Sequence, residues 1–130
     1  MIKKTITYTD YNGVERTEDF YFNLTKTELS KMELSTAGGL VAMIERIIAA
    51  KDGKAIMSTM ESIIHQSYGE KSADGKRFEK HNGALADAFA ETEPYDILFM
   101  ELVTDANAAA AFVKGILPED MQKAAEQASK

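Results

Sequence analysis

The sequence contains no cysteine, which excludes disulfides, thiolate nucleophiles and cysteine-based zinc sites. It has no tryptophan, two prolines and only two histidines, His65 and His81. The two histidines fall in different predicted elements without a third ligand at metal-binding spacing, so we interpret them as surface or structural residues. No nucleophile, general base and metal set converges either, and we therefore predict no enzymatic activity, no metal site and no cofactor.

Long apolar runs and basic clusters are also missing. No run approaches the roughly 18 apolar residues of a membrane-spanning helix, and the opening MIKKTITYTD alternates too soon for a signal peptide. The formal net charge is -6, and the basic residues are scattered among acidic ones. These features predict a cytoplasmic protein whose partners are neither nucleic acid nor a membrane.

What the sequence does contain first is a β-hairpin pattern over residues 2–24. Apolar side chains alternate with polar ones on both sides of Asn12-Gly13, a pair that accepts the positive φ angles of tight hairpin turns. The alternating apolar residues are Ile2, Ile6, Tyr8, Val14, Phe20, Phe22 and Leu24. A two-stranded hairpin is marginal alone, so this one must pack on another element.

The next residues begin a helical body over residues 26–117. Thr25 and Glu28 have the spacing of a capping box, and Leu24 and Leu29 are placed as a hydrophobic staple across it. Helical spacing then predicts a helix ending near Asp52-Gly53 and another over about 54–68 that ends at Gly69. Further helices follow: one through residues 85–89, one begun by Thr92 and one capped by Asp105. We predict a polar loop over residues 69–83 with a turn at Asp74-Gly75.

Together these patterns predict the α+β class, with an N-terminal β-hairpin packed on a bundle of about five or six helices. At 130 residues and 45% hydrophobic composition, one domain with a true core is expected, which we place over residues 1–117. Residues 118–130 begin with Pro118 and carry few large apolar side chains, so a flexible or weakly helical tail is expected there.

The predicted helices carry more apolar positions than a small core needs. Methionine fills gaps in cores but also lines surfaces that bind varied apolar helices, and both interpretations stay open. The segment PYDILFMELVT is apolar on nearly every side and is either central in the core or part of an interface. The candidate partner-binding residues on these faces are Ile44, Ile48, Met57, Met60, Ile64, Phe99 and Val103.

Four segments carry a family resemblance: KKTITYTDYNGVERTEDFYFNLTKTEL, GGLVAMIERIIAAKDGK, SYGEKSADGKRF and FMELVTDANAAAAFVKGI. With these, the chain resembles the small tail assembly chaperones of long-tailed phages and prophages of Gram-positive bacteria. The resemblance implies a non-enzymatic protein of the host cell cytoplasm that binds the tape measure protein, keeps it soluble and leaves before the tail is complete. It also implies a frameshift-extended form of the same protein as a partner.

Since each copy of such a chaperone would cover only a short length of an extended client, self-association along the client is expected.

Two other functions are alternatives. A structural component of the tail or head-tail connector is one alternative, although the helical periodicity after residue 25 speaks against it. A host-directed inhibitor protein is another.

Overall fold

The computed structural model describes residues 1–32 and 53–121, together with the single helical positions 42, 45, 46 and 49. Its elements form an α+β fold, as predicted. In chain order they are β1 (Ile2–Thr9), β2 (Glu15–Phe22), α1 (Lys26–Lys31), α2 (Gly53–Ser67), β3 (Tyr68–Lys71), β4 (Phe78–Glu79), a 3-10 turn (His81–Gly83), α3 (Ala84–Phe89), α4 (Glu93–Thr104) and α5 (Ala106–Gly115). Of the helix predicted before Asp52-Gly53, the structure describes only positions 42, 45, 46 and 49, and Ile44 and Ile48 lie outside the described residues.

The predicted hairpin is present, and Asp10 organises its turn. Strands β1 and β2 pair antiparallel from Ile2 opposite Phe22 to Thr9 opposite Glu15. The carboxylate of Asp10 accepts hydrogen bonds from the amides of Asn12 and Val14 at 2.9 and 3.0 Å. Gly13 has a φ of 80°, the left-handed value expected of the Asn-Gly pair.

The prediction of a loop over residues 69–83 is wrong at both of its ends. Tyr68 follows α2 directly into β3, where Gly69 pairs with Tyr21 and extends the hairpin to a four-stranded sheet in the order β1-β2-β3-β4. Gly69 therefore does not end a helix in the left-handed conformation. A Cβ built on it would lie 2.5 Å from Phe78 Cε2 and 2.7 Å from the Glu79 carbonyl oxygen. Glycine is needed here because strand β4 approaches so closely.

The turn between β3 and β4 is where the sequence predicts it. Gly75 has a φ of 75°, and its amide donates to the carbonyl of Ser72 at 2.9 Å. The hydroxyl of Ser72 donates to Asp74 at 2.6 Å and accepts from the amide of Arg77 at 3.0 Å. These bonds satisfy the turn locally.

The core lies between the sheet and the helices and is centred on aromatic rings. Phe22 contacts three rings edge-on, those of Tyr68, Phe89 and Phe112, at centroid distances of 5.6, 5.8 and 5.1 Å. Tyr68 also stacks on Phe89 at 4.2 Å, and burial raises the pKa of its hydroxyl to about 12. Aromatic contacts thus join β2, β3, α3 and α5 into one unit.

Of the three predicted helix caps within the described residues, two are made by the predicted side chains. Thr25 and Glu28 form the complete capping box of α1, and Asp105 accepts from the amides of Asn107 and Ala108 at the start of α5. Thr92 occupies the N-cap position of α4, but its hydroxyl donates to the carbonyl of Phe89 at 2.7 Å instead. That bond holds the connection from α3 to α4.

The described part of the segment after Pro118 touches the body of the protein. Asp120 lies 2.7 Å from Lys26 of α1, and Met121 packs against the core. The flexible tail over residues 118–130 stays a prediction.

Candidate functional surface

The structure separates the predicted partner-binding residues by exposure. Met60 and Ile64 are completely buried under α2, whereas Met57 is 44% exposed. Phe99 and Val103 of α4 are half-buried and pack against the core. Ile44 and Ile48 lie outside the described residues. Whether any of them contacts a partner remains a prediction.

Helix α4 exposes two large apolar side chains that were not among the candidates. Ile97 is 41% and Met100 48% exposed, although Leu98 and Leu102 of the same helix are buried. The sequence signal for them was the nearly continuous apolar character of this helix, which one buried stripe cannot use up. We define the α2/α4 surface as the accessible apolar side chains of Met57, Phe99, Met100 and Val103.

Aromatic contacts hold α4 against α3. Tyr95 stacks on Phe99 at 5.7 Å and meets Phe89 edge-on at the same distance. Burial, and then the negative charge of Glu61 on α2, raise the pKa of the Tyr95 hydroxyl. Through Tyr95, these ring contacts join Phe99 of the α2/α4 surface to α3.

A cleft of about 490 Å³ lies where α2, α3 and α4 meet. The imidazole of His65 closes one side of it and lies 2.7 Å from the Asp87 carboxylate, joining α2 to α3. His81 lies 3.5 Å from Glu79. Both histidines are exposed and have an acidic neighbour.

Two kinds of feature are absent from the described ranges, 1–32 and 53–121. No group of three or more histidine, aspartate or glutamate side chains is placed to hold a metal ion there. Of the helices in this part of the chain, none combines the length and the apolar character that a bilayer crossing requires.

Lys80 is the polar residue that sequence reasoning missed. Its ammonium donates to the carbonyls of Asn23 and Gln66, each at 2.8 Å, and to the Glu28 carboxylate at 2.5 Å. It therefore ties the end of β2, the end of α2 and the capping box of α1 together. No local pattern marks it, because its partners are distant in sequence.

These features define a small α+β protein with accessible apolar side chains on α2 and α4. A family model described as phage tail assembly chaperone matches residues 1–130, the whole chain. The chain therefore belongs to the phage tail assembly chaperones, a family that is in general non-enzymatic, and the resemblance seen in the sequence is confirmed. No curated protein and no solved structure matches it at a significant level.

Proposed function

We propose that this protein binds the tape measure protein of its phage and keeps it soluble while the tail is assembled. The observation that carries the proposal is the family match over the whole chain. A tail assembly chaperone needs a tail protein as its client. The tape measure protein is long, apolar and rich in helix, so it is the tail protein that most requires a chaperone to stay soluble.

The α2/α4 surface is the proposed contact with the client. Met57 and Met100 are both close to half exposed, and flexible, polarizable thioethers adapt to apolar helices of different sequence. Phe99 and Val103 lie on the same surface and are half-buried against the core. Ile44 and Ile48 are further candidates. Met60 and Ile64 are fully buried and pack α2 onto the core.

The charge of the chain suits this role. The chain has a formal net charge of -6 and exposes only a few apolar side chains in the part that the structure describes. Once the apolar side chains are covered by the client, the remaining acidic surface repels other complexes and keeps them dispersed. The proposal includes no catalytic step.

The wider role follows from the same hypothesis. The protein would act in the host cell cytoplasm, with several copies along one client, and would be absent from the finished particle. A frameshift-extended form of the chain would be a further partner.

Co-expression tests the proposal. The tape measure protein is produced in a bacterial host with and without this chain, and its soluble fraction and co-purification with a tag on this chain are measured. We expect an insoluble tape measure protein alone and a soluble complex with the chaperone. A tape measure protein that stays insoluble, beside a free and folded chaperone, would contradict the proposal.

A further inference from the structure

The outer edge of β1 has no pairing partner in the part of the chain that the structure describes. Strand β1 is eight residues long and stands first in the sheet order β1-β2-β3-β4. It contains no proline or glycine, and its pairing with β2 runs without a bulge. Such an edge is a template for another strand unless the sequence protects it.

The backbone groups on this edge can be identified from the hairpin. The Asp10 amide donates to the Val14 carbonyl at 2.8 Å, so Asp10 directs its amide toward β2. Because amide direction alternates along a strand, the even-numbered residues of β1 also pair with β2. The Asn23 amide donates to Ser67 on the opposite side of β2, which agrees with this alternation. Lys3, Thr5, Thr7 and Thr9 therefore direct their amides and carbonyls outward.

We infer that a second copy of this chain pairs with β1 antiparallel, about a two-fold axis at Thr5, to form one continuous sheet. In this register Thr5 faces Thr5 of the other copy, and Lys3 faces Thr7. Each of these pairs joins residues whose backbone groups point outward, as a hydrogen-bonded antiparallel pair requires. The register also keeps the core-facing side chains of both copies on one side of the sheet.

Charge opposes a second copy less at this strand than at the uncovered part of β2. Both charged side chains of β1 are lysines, in a chain whose formal net charge is -6. The stretch of β2 before Tyr21, which β3 does not cover, carries Glu15 and Asp19 at its outward positions instead. Two acidic copies repel each other least where they meet at β1, and the two-fold register places no lysine opposite a lysine.

Helix α4 supplies apolar surface beside the same edge. Lys4 of β1 lies 3.1 Å from Glu101 of α4, and Ile97 stands one helical turn before Glu101 on the same side of the helix. Ile97 is 41% exposed. When β1 pairs across the axis, this side of α4 comes toward its equivalent in the other copy. The α2/α4 surface stays outside the pairing.

Single cysteines test the register, since the chain has none of its own. In a hydrogen-bonded antiparallel pair the Cα atoms are about 5.5 Å apart, within reach of a disulfide. Under mild oxidation Thr5→Cys should give a covalent dimer. Thr17→Cys is the matched control. Thr17 lies on β2, opposite Thr7 of β1 and on the same exposed face of the sheet, and this variant should stay monomeric. Equal cross-linking of both variants would overturn the inference.

Sedimentation of the free protein tests the pairing itself. We expect a weak dimer whose dissociation is visible within about 1–100 µM. Thr5→Lys sets two like charges face to face and should weaken the dimer by about two- to fivefold, whereas Thr17→Lys should leave it unchanged. Circular dichroism checks that both variants fold. A wild-type monomer at every concentration, or equal weakening by Thr17→Lys, would overturn the inference.

This inference deepens the proposed coating of the client by naming the surface through which copies meet. Its tests use the free protein and leave Met57 and Met100 untouched. A protein that does not dimerise but keeps the client soluble would therefore contradict only the pairing through β1. A protein that dimerises but does not keep the client soluble would contradict only the proposed client binding.

Discussion

The ammonium of Lys80 donates to the Glu28 carboxylate at 2.5 Å, across the junction of the sheet with α1 and α2. Glu28 also accepts from the Thr25 amide at 2.9 Å, so one carboxylate completes a helix cap and an ion pair. Lys80 uses its remaining donors on the carbonyls of Asn23 and Gln66. One lysine thus joins three elements at this junction.

Replacing that lysine should be costly. Lys80→Met leaves a carboxylate and two carbonyls without their donor, and the free energy of unfolding should fall by about 2–3 kcal/mol. Lys76→Met is the matched control: Lys76 is exposed in the turn, and the change should stay within about 0.5 kcal/mol. Urea denaturation measures both. Equal stability of the two variants would show that the Lys80 contacts contribute nothing.

The Glu28 contacts predict a dependence on pH. Burial alone would raise the pKa of this carboxyl, but the hydrogen bonds from Lys80 and Thr25 outweigh it and hold the pKa below its ordinary 4.5. A carboxyl whose pKa is lower in the folded state stabilises the fold above its unfolded pKa, and the contribution disappears as the pH falls through the folded pKa. The wild type should exceed Glu28→Gln in stability at pH 7, and the difference should shrink steadily below pH 4.5. A difference that is independent of pH would contradict this assignment.

Two glycines should respond differently to the same methyl group. Gly69→Ala places a Cβ against the Glu79 backbone as well as the Phe78 ring, so β4 must shift, at a cost of about 1–3 kcal/mol. Gly115→Ala meets Ile2, whose end atom Cδ1 at 2.9 Å can turn aside and whose Cβ at 3.3 Å needs to yield only by a few tenths of an ångström. Alanine also suits a helix better than glycine by about 1 kcal/mol, so that variant should be close to neutral. Thermal unfolding compares them, and a larger loss for Gly115→Ala would contradict the packing of β3 on β4.

Asp105 offers a test of helix capping. Its carboxylate accepts from the amides of Asn107 and Ala108 at 3.0 and 3.2 Å. Asp105→Ala should lower the free energy of unfolding by about 1 kcal/mol, whereas Asp105→Asn keeps an acceptor oxygen and should retain most of the stability. Denaturant titration distinguishes the two. If asparagine is no better than alanine, the hydrogen bonds to the helix start are not the cause.

The predictable parts of the fold are those with local causes. Asn12-Gly13 supplies a positive φ, and Thr25 with Glu28 or Asp105 alone satisfies the amides of an adjacent helix start. Strand β3 has no such local signal, since the polar residues around Gly69 become a strand only because Tyr21 is there to pair. The junction at Lys80 was missed for the same reason.

The candidate surface shows the same limit at the level of single side chains. Met57 and Met60 lie on one predicted apolar face of α2, yet the first is 44% exposed and the second fully buried. Periodicity identifies the face, but the tertiary neighbours decide which part of it stays accessible. On α4 the apolar excess was visible in the sequence, and the exposed members, Ile97 and Met100, became known only from the packing.

The central claim is that the α2/α4 surface holds the tape measure protein, and its most direct measurement compares three chaperones co-expressed with that client. They are the wild type, the double variant Met57→Lys with Met100→Lys, and Ser58→Lys, an exposed polar neighbour on α2 as the control for added charge. We predict that the double variant folds but leaves the client insoluble, while the wild type and Ser58→Lys keep it in solution. A double variant that is folded and keeps the client as soluble as the wild type does would contradict the account.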